Sequence, residues 1–182
     1  MTRRSPLVLV LLLGLTLAGC SDPDDVIPPA LAELHQRAVA GDASAQLDLG
    51  MRYVTGKGIP SDERAARRWI GKAADQGNAA AQFELGSYYT LASHRDYQRA
   101  ADLLRRAALQ GFAPAQSSLA ILHWAAKGVP QDRIEAYAWL LLAAEPGERE
   151  ALDLQPGLQA ELSDAELQQA RQRAQPYRQG PP

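Results

Sequence analysis

Between residues 31 and 147 apolar and small side chains recur every three or four positions, in stretches separated by polar, glycine-containing breaks. Residues 43–54 contain no proline and set Leu49 and Tyr53 four apart, which predicts a helix with both on one face. A second stretch opens at Asp62, whose carboxylate suits the free amides of a first helical turn. It closes at Gly77, which can take the left-handed conformation that ends a helix. Leu31, Leu34 and Ala38 keep the same spacing ahead of Gly41 and predict one helix before the first pair. Near the other end, Ser163 with Glu166 is a capping-box pattern that starts the last helix, and Pro156-Gly157 predicts a break or kink in the helix before it.

The helical pair is repeated. Ala45-Gln46 returns as Ala81-Gln82 and Ala115-Gln116, at spacings of 36 and 34 residues. Leu49-Gly50 returns as Leu85-Gly86 and Leu119-Ala120, and Tyr53 as Tyr89 and His123. Trp69, Leu103 and Trp139 share one register; Ala73-Ala74, Ala107-Ala108 and Ala143-Ala144 share another, followed by Gly77, Gly111 and Gly147. Asp62, Asp96 and Asp132 stand at the start of each second helix. Gly50, Gly86 and Ala120 are small where two helices cross closely. A lone helical hairpin cannot bury both of its faces, whereas stacked copies can, so the pattern predicts an all-α solenoid of antiparallel helix pairs.

The pattern A-x-x-x-L-G-x-x-Y-x-x-G-x-G-x-x-x-D-x-x-x-A-x-x-W-x-x-x-A-A-x-x-G, nearly complete in the first copy, resembles the Sel-one-like repeat, a relative of the tetratricopeptide repeat. The second copy has Thr90-Leu91-Ala92-Ser93-His94 in place of the glycine loop, and the third has His123 for the tyrosine. The expected organisation is an array over residues 30–147, made of an N-terminal half repeat and copies at 43–78, 79–112 and 113–147. Capping helices at 148–176 and a disordered tail at 177–182 follow it.

The first residues follow a different logic. Arg3 and Arg4 precede an apolar run from Leu7 to Ala18, a secretory signal pattern too short for a membrane span of about 20 residues. Leu17-Ala18-Gly19-Cys20 resembles the lipobox of bacterial lipoproteins, which implies a signal peptide over residues 1–19 and diacylglycerol on the Cys20 thiol. Each buried methylene contributes about 0.8 kcal/mol, so two or three acyl chains anchor a protein without spanning the bilayer. Residues 20–29 then form an acylated tether rich in aspartate and proline, roughly 30 Å long when extended. Ser21 stands where an aspartate would signal inner-membrane retention, which weakly favours the outer membrane.

Composition removes other classes. Without Arg3 and Arg4 the chain has 17 basic side chains against 21 acidic ones, a formal charge of −4 that argues against nucleic acid as partner. His35, His94 and His123 fall on separate elements with no cysteine beside them, so no metal or cofactor is expected. No nucleophile elbow, phosphate-binding loop or dinucleotide fingerprint is present, which points away from an enzyme.

What remains is surface. By register with the groove of tetratricopeptide-type arrays, the resemblance implies a concave face lined by Leu47, Met51 and Val54, then Phe83, Ser87 and Thr90, then Ser117, Ile121 and Trp124. Met51, Phe83, Ser87, Ile121 and Trp124 are the candidate binding residues. The chain therefore reads as a lipid-anchored periplasmic adaptor that binds another envelope protein or an extended peptide. The alternative is a cell-wall-associated lipoprotein contacting peptidoglycan or its remodelling enzymes.

Overall fold

Asp62, Asp96 and Asp132, the three aspartates expected to open second helices, each turn a carboxylate oxygen onto the first-turn amides. Asp62 accepts from the backbone N–H groups of Arg64 and Ala65 at 2.8 and 3.0 Å, Asp96 from Arg99 at 3.1 Å, and Asp132 from Glu135 at 2.9 Å. The computed structural model describes residues 27–91 and 93–178. Within them lie a 3-10 turn, Pro29–Leu31, and the helices α1 (Ala32–Val39), α2 (Ala43–Thr55), α3 (Glu63–Asp75), α4 (Ala79–Tyr88), α5 (Tyr97–Leu109), α6 (Ala113–Trp124), α7 (Arg133–Ala144), α8 (Arg149–Ala160) and α9 (Asp164–Arg178). The expected signal segment, Cys20, most of the tether and the last four residues lie outside the described residues.

Successive helices pack in chain order from α1 to α7, so the pairs α2/α3, α4/α5 and α6/α7 stack as the repeat pattern requires. No strand occurs among the described residues. The fold is an all-α solenoid. Trp69 and Trp139, in one register of α3 and α7, are 2% and 1% exposed, and the paired alanines beside them are buried or nearly so. Gly50 and Gly86 are closely approached, as their small size demands: a methyl group at Gly50 would lie 2.6 Å from Ile70 Cγ1.

The repeated Ala-Gln pair has a structural reason that spacing alone does not reveal. Gln46, Gln82 and Gln116 are buried at the start of α2, α4 and α6. Each donates its amide N–H to a carbonyl at the end of the preceding helix: Ala38 at 2.9 Å, Ala74 at 3.1 Å and Ala108 at 3.1 Å. Gln76 and Gln110 in turn donate to the side-chain oxygens of Gln46 and Gln82, at 2.7 and 2.8 Å. A buried polar group must find a partner, and here the partners link one helix pair to the next.

Two expectations at the C-terminal end are corrected. First, of the break or kink expected at Pro156-Gly157, the break does not occur, for α8 runs through both residues. The carbonyl that Pro156 cannot serve belongs to Leu152, on the exposed side of α8, where water can take the lost donor's place. Second, residues 177 and 178 belong to α9 and not to a disordered tail. The Tyr177 ring stacks on Trp139 at 4.3 Å between centroids and its hydroxyl donates to Glu135, which holds the helix end. Both α8 and α9 pack on α7. Ser163 and Glu166 bond reciprocally at the start of α9, as the capping box predicts.

Candidate protein-interaction surface

The first helices of the repeats carry the expected groove residues, and their burial divides them. Leu47 and Met51 are half-buried against the cluster of Ile70, Ala73, Ala74 and Ala81. Phe83 is half-buried and tilts onto Phe112, with ring centroids 5.4 Å apart. Ile121 and Trp124 are half-buried at the C-terminal end of α6, with Trp124 touching the core of the third repeat. Val54 is 54% exposed, Ser87 is half-buried, and Thr90 is half-buried with its hydroxyl donating to the Ser87 carbonyl. Ser117 leaves the set: it is fully buried and donates to Glu148, the carboxylate that caps α8. Thus Met51, Phe83 and Trp124 divide their surfaces between inter-repeat packing and solvent.

Val54 and Ser87 converge on a feature that periodicity did not announce, a cleft of about 620 Å³ between the first and second repeats. Its floor is Tyr53, Ala66, Ile70 and Leu85; Val54 and Leu91, each 54% exposed, stand at its margin. Its origin lies in the loops. In the first and third copies the bond that closes the loop joins residues nine apart, Asp62 N–H to Tyr53 O and Asp132 N–H to His123 O. In the second copy Asp96 N–H reaches Tyr89 O across seven. The third loop packs against the start of α5 backbone to backbone, for a Cβ at Gly128 would lie 2.1 Å from Tyr97 O. The shortened second loop has no glycine to bring against the start of α3. Side chains span that junction instead.

Tyr88 is central to this span. Its hydroxyl donates to Glu63 Oε1 at 2.7 Å and accepts from Arg67 Nη1 at 3.2 Å, so the acid and the base share one phenol. His94 stacks on the Tyr88 ring at 4.2 Å, and its Nε2 lies 3.0 Å from Glu63 Oε1. Ser93 Oγ lies 2.8 Å from His94 Nδ1. Burial, reinforced by the bond to Glu63, raises the Tyr88 pKa above the ordinary phenol value. Glu84, on the cleft wall beside Leu85, differs from its neighbours: among the described residues no donor or cation pairs with its carboxylate, and burial raises its pKa.

His94 was legible in the sequence only as a loop histidine, and Glu63, Glu84, Tyr88 and Leu91 carried no signal of their own. The departure of residues 90–94 from the glycine-loop pattern was the visible clue. Among the described residues no group of three or more His, Cys, Asp or Glu side chains converges as a metal site, and no helix is long and apolar enough to cross a membrane.

Stacked helix pairs offering a half-buried first-helix face and a cleft between copies define a helical-repeat interaction scaffold. The chain belongs to the Sel1 repeat family, whose model matches residues 43–78, 79–112 and 113–147. Sel1 repeats mediate protein–protein interactions. The chain is 33% identical over 129 residues to the alginate biosynthesis protein AlgK of Azotobacter vinelandii, an overlap of 70% of this chain and 28% of that protein. Among solved structures it is similar to c5321, a protective antigen of uropathogenic Escherichia coli strains with an SLR fold. That similarity has a TM-score of 0.74 and 32% identity, over 83% of this chain and 33% of the antigen. It is also similar to a Sel1 repeat protein from Oxalobacter formigenes, with a TM-score of 0.64 and 34% identity, over 70% of this chain and 98% of that one. The chain therefore spans less than a third of the length of its curated relative and a third of the antigen.

Proposed function

We propose that this protein is a non-enzymatic adaptor of the bacterial cell envelope, anchored by lipid at Cys20 and binding another envelope protein or an extended peptide through the first-helix face of its repeats. The observation that carries this reading is the half-buried stripe of Met51, Phe83, Ile121 and Trp124, large apolar side chains left partly in contact with solvent. The lipobox-like Leu17-Ala18-Gly19-Cys20 supports the anchor, and the similarity to a protein of alginate biosynthesis supports a place in an envelope assembly. A cell-wall role through peptidoglycan remains the second reading, with the same anchor.

Affinity capture with the full chain and with Phe83→Ala and Trp124→Ala variants tests the adaptor reading. A defined protein retained by the wild type and lost by the variants is the expected result; co-sedimentation with purified sacculi alone favours the second reading. For the anchor, Cys20→Ala is expected to leave the protein unprocessed or released from membranes. Finding that variant at wild-type level and mature size in the detergent-extracted membrane fraction would remove the lipid from the proposal.

A further inference from the structure

We propose that the cleft between the first and second repeats docks a partner peptide that presents a large apolar side chain next to a lysine or arginine. This rests on the reading of the chain as a protein-binding array, and adds where a segment of the partner seats and what chemistry it carries.

Three observations select that occupant. First, the floor of Tyr53, Ala66, Ile70 and Leu85 is apolar, and two of the three exposed large hydrophobic side chains among the described residues, Val54 and Leu91, stand at its margin. An apolar side chain entering between them removes both from water. Second, the ionisable groups at the cleft are already paired, with one exception. Glu63 takes the Tyr88 hydroxyl and His94, and Arg67 donates to that hydroxyl, so acid and base offset each other through one phenol. Glu84 lines the same space with no counter-charge among the described residues, on the same helix face as Tyr88 and one turn before it. A carboxylate half withdrawn from water and left unpaired is a site for a cation, because a charge-assisted bond strengthens where water is partly excluded. Burial alone raises the pKa of Glu84, as expected of a carboxylate awaiting a partner. Third, the geometry is local to this junction: the shortened second loop leaves it open, whereas Gly128 closes the next one onto Tyr97.

The chain's own tether is a poor occupant. Asp22, Asp24 and Asp25 would bring three carboxylates toward Glu84.

The experiment is selection from a displayed random dodecapeptide library on the full-length chain as expressed, followed by fluorescence anisotropy with synthetic copies of the selected peptides. Enrichment of Leu, Ile or Phe beside Lys or Arg is expected. Affinity should fall at least tenfold with Glu84→Gln and with Leu91→Ser while the helical spectrum and Tm hold, and should be unchanged by Leu152→Ser, an exposed apolar side chain on α8 away from the cleft. Selected peptides rich in Asp or Glu, or affinity indifferent to Glu84→Gln, would overturn the proposal. Loss of affinity with Trp124→Ala but not with Glu84→Gln would overturn it too, leaving the first-helix face as the binding surface. Absence of any enrichment over an empty support, or sedimentation showing self-association that Glu84→Gln abolishes, would also sink it, the latter by making a second copy the occupant.

Discussion

Gly86 on α4 and Leu104 on α5 meet with no room for a side chain between them: a methyl group at Gly86 would lie 2.9 Å from Leu104 Cγ and 3.4 Å from the Ala100 carbonyl oxygen. Leu104 is fully buried and cannot swing into water. Gly86→Leu is therefore expected to overfill the crossing and cost about 1 to 3 kcal/mol, measured by urea unfolding. An unchanged midpoint would mean that the two helices separate freely there.

His123 replaces the repeat's tyrosine and is buried, with no well-aligned hydrogen bond on either ring nitrogen and only the Pro130 backbone facing the ring as a weak partner. Burial lowers its pKa, outweighing the attraction of Glu135 and Asp132 and the Pro130 backbone contact. The unfolded chain then binds more protons than the folded one between the lowered value and about 6.5, so stability rises with pH through that window and is fully present above it. Melting temperatures should fall as pH drops from 7.5 to 5.5. His123→Tyr, which restores the residue of the other copies, should flatten that fall. The carboxylates of Asp132 and Glu148, whose pKa values are lowered, lose their contribution only at lower pH, so the two effects separate.

Ala126 occupies the third-copy position that Gly56 holds in the first, and both are left-handed, with φ of 54° and 71°. A Cβ is disfavoured in that region, while glycine gains unfolded-state entropy. The first effect is the larger. Ala126→Gly is expected to stabilise by about 0.5 to 1 kcal/mol and Gly56→Ala to destabilise by a similar amount. Thermal melts of the pair check both signs; a fall in Tm for Ala126→Gly would show that entropy prevails.

Trp124 stands where the other copies have Val54 and Thr90, so stacking of the repeats does not require a ring at that register. Tryptophan buries a large area at small entropic cost and often dominates binding. Trp124→Ala should weaken partner binding by about 2 kcal/mol or more and reduce stability by less. A stability loss of about 3 to 5 kcal/mol with partner affinity unaltered would assign the ring to the core instead.

Much of this was readable without a structure because it depends on residues close in sequence. The aspartate caps, the left-handed glycines and the capping box of Ser163 and Glu166 involve groups within three or four positions of one another, and local bonds of that kind leave a direct mark on the sequence. The shared register of Trp69 and Trp139, two copies apart, likewise announced the core of a stacked array. What tertiary structure alone decided concerns distances between elements. Pro156 is tolerated in α8 on the side where it and Leu152 are exposed, and Ser117 is removed from the surface because α8 brings Glu148 over it. The sequence by itself determined that the second loop is two residues shorter than its counterparts. That the shortening opens a cleft, joins Glu63, Arg67 and His94 around Tyr88 and leaves Glu84 unpaired follows only from how rigid helix pairs stack, since no local spacing encodes the gap between them.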